Sequence, residues 1–90
     1  MSEAAHAPSG HGRELYARHA LLDGRSVAML RIIDVGDHCL VEANVWPKNS
    51  GTDMPVPTGP YTFPSAVEAT RFVTHAVEAL MALGCDVRAA

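Results

Sequence analysis

Residues 65–83 carry the pattern that most limits what this chain can fold into. Apolar side chains recur there at spacings of three and four residues, as an amphipathic helix requires. Ser65 and Glu68 stand at the spacing of a capping box, and Gly84 suits the left-handed conformation that ends a helix. The apolar positions are Ala69, Phe72, Val73, Ala76, Val77, Leu80 and Leu83. A single helix of this kind covers one face of a small sheet and leaves the other face without a cover.

The chain before this helix has the pattern of β-strands joined by short turns. Residues 39–46 alternate apolar and polar side chains with the period of two typical of a strand with one buried face. Residues 26–34 are rich in aliphatic side chains, and a turn over residues 34–37 follows them. Residues 15–22 end at Asp23 and Gly24, which favours a strand leading into a hairpin. A short helix is the competing interpretation of residues 15–22, because Glu, Leu, Ala and Arg are good helix formers.

The remaining segments are predicted from composition. Residues 1–12 are small and polar, so we predict a disordered N-terminal tail, with one domain over residues 13–90. Residues 47–60 are rich in Pro and Gly and predict a long loop, after which residues 61–63 return as a short edge strand. The predicted fold class is therefore α+β: an antiparallel β-meander of three to four strands with one C-terminal amphipathic helix packed on one face.

Composition excludes several classes of protein. The 90 residues include 7 Lys and Arg against 10 Asp and Glu, a net charge of −3 that argues against a strongly basic nucleic-acid binder. Two cysteines are too few for the framework of a disulfide-rich domain. The sequence has neither a signal-peptide pattern nor an apolar run of membrane-spanning length, so we expect a cytoplasmic protein that binds no membrane. The excess of Arg over Lys and the abundance of Ala suggest a bacterial source.

Few side chains in the sequence could form a metal or catalytic site, and their spacing does not suit one. The candidates for a metal or nucleophilic site are His19, His38, Cys39, His75 and Cys85. Adjacent strand residues point to opposite faces, so His38 and Cys39 are badly placed to bind one ion together. The glycines fit no phosphate-binding loop. We therefore predict no catalytic residue, no metal and no cofactor, and a protein that is not an enzyme.

The sheet face away from the helix gives the strongest functional signal. If Ala28, Leu30, Ile32, Cys39, Val41, Ala43 and Val45 lie under the helix, the other face is apolar and is broken only by Arg31, Glu42 and Asn44. Large exposed apolar patches mark interaction sites, and two-fold homodimers are the commonest oligomers. We predict a homodimeric interaction module, with the first strand or the long loop as the alternative cover. The predicted interface or ligand-binding residues are Tyr16, Val27, Met29, Arg31, Ile33, Leu40 and Trp46.

Two other functions stay open. A meander followed by a helix resembles, in layout only, the PUR-repeat and whirly folds, which bind single-stranded nucleic acid on an open sheet face. The residues that would serve such binding are Tyr16, Arg18, Arg31, Trp46 and Lys48. The second alternative is a small-ligand or metal site at a subunit interface. Separately, Trp46 at the start of the Pro- and Gly-rich segment can anchor a peptide or a small ligand.

Overall fold

A computed structural model of the protein describes residues 12–48 and 54–90. These residues form a five-stranded antiparallel sheet with one helix on one face, which confirms the predicted α+β class. The elements are β1 (Arg13–Leu22), β2 (Arg25–Asp34), β3 (Cys39–Val45), β4 (Val56–Phe63), α1 (Ala66–Ala82) and β5 (Asp86–Ala89). The strand order is β4-β3-β2-β1-β5, so β2 lies at the centre of the sheet and β4 and β5 are its edges.

The first hairpin settles the choice between strand and helix for residues 15–22, which belong to strand β1. Asp23 and Gly24 form the turn, with φ values of 54° and 79°. Two successive positive φ angles give a tight turn whose twist matches that of the paired strands. The pairing of β1 with β2 has irregularities between Glu14 and Tyr16 and between Ala20 and Leu21.

The helix α1 occupies the predicted segment with the predicted cap. Ser65 is the N-cap, and its hydroxyl oxygen accepts a hydrogen bond from the Glu68 backbone N–H at 3.4 Å. The chain leaves the helix at Gly84, which has a φ of 96°. Leu83 was expected in the apolar stripe but is 74% exposed, because it is the C-cap and the turn at Gly84 brings Cys85 to the buried position instead.

The core lies between α1 and one face of the sheet. Register pairs Leu30 with Ala43 and Ile32 with Val41, so these side chains share that face. Together with the helix they form the larger cluster of buried residues: Leu30, Ile32, Cys39, Val41, Ala43, Ala69 and Val73. The predicted distribution of β2 and β3 side chains under the helix is confirmed by this cluster, with Val45 half-buried at its margin.

The prediction of a loop over residues 47–60 was wrong at its C-terminal end, where strand β4 begins at Val56. Pro57 and Pro60 lack backbone N–H groups, but an edge strand needs to donate to one neighbour only, which here is β3. Gly59 has a φ of 86°, where the pairing with β3 is irregular. Residues 49–53 of the predicted loop and residues 1–11 of the predicted tail lie outside the described residues.

Strand β5 was not predicted, because four residues are too short for a periodic pattern. Its pairing with β1 runs from Arg18 opposite Ala89 to Leu21 opposite Asp86. Cys85 precedes it and packs with Ala20 and Ala28 in a second, smaller buried cluster. The fifth strand thus widens the sheet at the edge next to β1, beside the C-terminal end of α1.

Candidate functional site

The face of the sheet opposite α1 is the candidate site. Cross-strand partners share a face, and at the centre Met29 lies between His19 on β1 and Asn44 on β3. Arg31, two residues along β2, lies between Ala17 and Glu42. We call the following set the open face: Glu14, Ala17, His19, Ser26, Val27, Met29, Arg31, Ile33, Leu40, Glu42, Asn44 and Trp46.

The apolar side chains of the open face are less exposed than the sequence suggested. Val27, Met29, Leu40 and Trp46 are half-buried. Ile33 is only 5% exposed, because Gly12 lies against it so closely that a Cβ on Gly12 would overlap the Ile33 Cγ2 atom. The chain itself therefore covers Ile33, contrary to the expectation of an open position there. The half-buried residues around Met29 form the accessible apolar part of this face.

A row of charged side chains crosses the open face at Arg31. One guanidinium nitrogen of Arg31 donates to Glu42 Oε1 at 2.9 Å, and another lies 3.5 Å from Glu14 Oε1. The three side chains come from β1, β2 and β3, so the row runs across the strands. Two carboxylates share one guanidinium, which leaves the row with a formal charge of −1 and occupies the cation that a phosphate would need.

A histidine, a serine and a tryptophan meet at the other end of the open face. The Nε2 atom of His19 lies 2.8 Å from Ser26 Oγ, and the ring centroids of His19 and Trp46 are 6.0 Å apart. The Trp46 backbone N–H donates to the carbonyl of Val27 at 2.9 Å, which extends the pairing of β2 with β3. Sequence reasoning considered His19 only for a metal or nucleophilic site and missed Ser26. Their contact depends on the register of β1 against β2, which no local pattern reveals.

The aromatic and basic residues proposed for nucleic-acid binding lie on different faces. Tyr16 pairs with Ile32 and packs against the core under the helix, so it is not on the open face. Arg18 lies on the same side as Tyr16, with its guanidinium carbon 4.0 Å from the Tyr16 ring centroid. Trp46 and Arg31 are on the open face, and Lys48 is an exposed residue beyond the end of β3. The structure therefore does not bring the set together as one stacking surface.

The two cysteines are buried and unbridged. Burial raises the pKa of the Cys39 thiol, and the nearby carboxylate of Asp34 raises it further. A raised pKa disfavours the thiolate, which is the form that attacks substrates and binds metals. Among the described residues, no group of three or more His, Cys, Asp or Glu side chains is placed to hold a metal ion.

The most exposed apolar side chains do not belong to the residues that define the open face. They are Leu15, Leu22, Met54, Val56, Tyr61, Val67, Phe72, Met81 and Leu83. Phe72 packs its ring against Phe63 and Tyr61, with centroids 5.2 and 5.6 Å apart, and this contact ties α1 to β4. Isolated apolar side chains on a protein surface are normal and do not by themselves indicate a binding site.

The fold and the open face define a small antiparallel α+β protein whose described residues place a helix on one side of the sheet only. No protein-family model, curated protein or solved structure matches the chain. Over residues 12–48 and 54–90, no helix has the length and apolar character needed to cross a bilayer.

Proposed function

We propose that this protein is a non-enzymatic homodimeric interaction module, in which the open face of one copy binds the open face of another. The observation that carries the proposal is the position of Met29, Leu40 and Trp46 on the side of the sheet opposite the only described helix. A second sheet packed on this face would bury these half-exposed side chains as the two sheets of a β-sandwich do. Self-association supplies such a layer without a different partner.

The size of the open face supports a dimer. Five strands at a spacing of about 4.8 Å make a sheet about 24 Å wide. The central strands of 7–10 residues, at about 3.3 Å per residue, span about 23–33 Å. The projected area is therefore about 550–800 Å², and the accessible area of a ridged face is larger. Stable interfaces of standard size bury about 800 Å² per partner, so this face is of the required size.

The charged row of the open face contains groups of both signs, with a net charge of −1 in each copy. Arg31 has five N–H donors, and its contacts with Glu14 and Glu42 leave donors free to meet another carboxylate. In a two-fold dimer the same row faces itself, so Arg31 of each copy can bind a glutamate of the other. The row then orients the two sheets, while the apolar residues supply most of the buried area.

The edges of the sheet are poorer dimerisation surfaces than its open face. Exposed edges otherwise favour pairing between chains, and proteins block this with prolines, charges or short strands. Strand β4 carries Pro57 and Pro60, which lack the N–H groups needed to continue a ladder. Strand β5 has four residues and carries the ion pair of Arg88 with Asp86 at 2.7 Å. Both edges thus direct association to the face.

Sedimentation velocity over about 1–100 µM protein tests the proposal, because mass action favours the dimer as concentration rises. We expect a species of twice the 9.6 kDa chain mass. Met29→Glu places a charge at the centre of the open face and should give a monomer with unchanged far-UV circular dichroism. Trp46→Ala should weaken the dimer for the same reason.

Met81→Glu is the matched control, since Met81 is 58% exposed on the helix, away from the open face. This variant should remain dimeric. A wild-type protein that sediments as a monomer throughout the concentration range would refute the proposal. A monomer that binds single-stranded oligonucleotides at low salt would replace it with the nucleic-acid function.

A further inference from the structure

We propose that this protein has a second self-association surface, a recess between α1 and the edge strand β4 that takes the helix of another copy. The helix crosses its face of the sheet diagonally. In its first half Phe72 packs on the Tyr61 and Phe63 rings of β4, and near its end Leu80 packs on the smaller buried cluster, which includes Cys85. The helix therefore leaves one corner of this face open, where β3 ends and β4 begins.

Burial of the β3 side chains decreases toward this corner. Along the side of β3 that faces the helix, Val41 and Ala43 are buried, whereas Val45 is half-buried. The cross-strand partner of Val45 is Val56 on β4, which is 49% exposed. Tyr61, the partner of Val41, is 43% exposed. The floor of the recess is therefore apolar and accessible to another chain.

One side of α1 forms the wall of the recess. Phe72, Ala76, Ala79 and Leu83 recur at spacings of four, three and four residues, so they lie on the same side of the helix. The contact of Phe72 with Tyr61 shows that this side faces β4. Phe72 is 40% exposed, and Leu83 is the exposed C-cap residue whose apolar side chain the core leaves uncovered. The residues that define the recess are Val45, Val56, Tyr61, Phe72, Ala79 and Leu83.

The shape and the charge of the recess suit a second copy of the chain. Each molecule carries a ridge, the helix of about 10 Å diameter, next to a recess on the same face, so a two-fold axis places each helix in the recess of the other copy. The small side chains of Ala76 and Ala79 let two helices approach to about 8–10 Å between axes. Residues 54–65 contain no Asp, Glu, Lys or Arg, so β4 brings no like charges together between chains of net charge −3.

The size of the recess predicts a weak contact. From Phe72 to Leu83 the helix rises about 17 Å, at about 1.5 Å per residue. Strands β3 and β4 and one side of the helix together span about 15–20 Å. The projected area of about 250–350 Å² per copy is below the roughly 800 Å² of a stable interface and is typical of a transient one. We expect a dissociation constant of about 1 mM.

The recess lies on the side of the sheet opposite the open face, so its self-association is independent of the proposed dimer. Met29→Glu removes the open-face contact and isolates the recess. Dilution of ¹⁵N-labelled Met29→Glu from about 2 to 0.1 mM, followed by amide chemical shifts, measures both the dissociation constant and the place of contact. We expect shifts centred on Tyr61 and Phe72.

Two added substitutions make the test specific. Ala79→Glu puts a charge in the wall at an exposed helix position and should raise the dissociation constant at least about tenfold, since each charge would be buried without a partner. Met81→Glu is the matched control, because Met81 is two residues from Ala79 and lies on the other side of the helix. It should change the constant by less than about twofold. Val56→Lys probes the floor in the same way as Ala79→Glu probes the wall and leaves the helix unchanged.

Shifts that do not depend on concentration up to about 2 mM, or that centre elsewhere, overturn the inference. Equal association of the Ala79→Glu and Met81→Glu chains also overturns it. None of these results affects the proposed function, which is decided by the mass of the wild type at about 1–100 µM. A wild-type monomer in that range refutes the open-face dimer, while shifts centred on the recess in the same protein still support the second surface.

Discussion

Replacing Val73 by alanine tests whether the larger buried cluster lies between one face of the helix and one face of the sheet. Val73 is 1% exposed and packs in the cluster with Ile32 and Val41. Val73→Ala removes the equivalent of two buried methylene groups, worth about 1.6 kcal/mol at about 0.8 kcal/mol each. The cavity left behind adds up to about 1 kcal/mol, at about 24 cal/mol per Å³ for a few tens of Å³. We expect a total loss of about 2–3 kcal/mol.

Urea unfolding followed by far-UV circular dichroism measures this loss, at one protein concentration because association would add its own stabilisation. Small domains lose roughly 1 kcal/mol per molar urea, so the midpoint should fall by about 2–3 M. Val67→Ala is the matched control on the same helix, since Val67 is 66% exposed. It should change the stability by no more than about 0.5 kcal/mol. Equal effects of the two substitutions would refute the placement of the core under α1.

Two further predictions concern the helix cap and the buried thiol. Ser65→Ala removes the acceptor for the Glu68 N–H and should lower the unfolding free energy by about 0.5–2 kcal/mol; an unchanged urea midpoint would contradict the capping role. The thiol prediction uses a Cys85→Ala background, so that only Cys39 reacts with a disulfide reagent. Because Cys39 is buried and its pKa is raised, its reaction at about pH 8 should be at least about tenfold slower in the folded chain than in urea. The rate in the folded chain should increase as the pH rises. Equal rates in the folded and the unfolded chain would show that Cys39 is accessible.

Elements specified by neighbouring residues were predictable. The helix follows from the cap at Ser65, the 3,4 spacing and Gly84, and all three contribute within one or two turns of the chain. The faces of β2 and β3 follow from alternation, since the pleat places every second side chain on the same side. Strand β4 could not be read in the same way. Its two prolines oppose strand structure locally, and pairing with β3 outweighs that preference.

The sequence predicted which side chains of β2 and β3 lie on the open face, but it did not do so for the irregular strand β1. Met29, Leu40 and Trp46 lie where alternation places them, whereas Val27 falls at an irregularity in the pairing of β1 with β2 and packs against the smaller buried cluster. The placement of Tyr16 failed, because β1 has an irregularity between Glu14 and Tyr16 and the sequence does not show which strand pairs with it. The cover over Ile33 was also unpredictable, since Gly12 reaches it from outside strand β2.

The sequence alone determined the α+β class, the helix and its ends, and the apolar sides of the two central strands. These properties depend on backbone preferences and on periodicity over a few residues. Tertiary structure alone decided that the sheet has five strands, that Arg31 is held between Glu14 and Glu42, and that His19 meets Ser26 beside Trp46. Those contacts join residues from separate strands, and only the hydrogen-bond register between the strands brings them together.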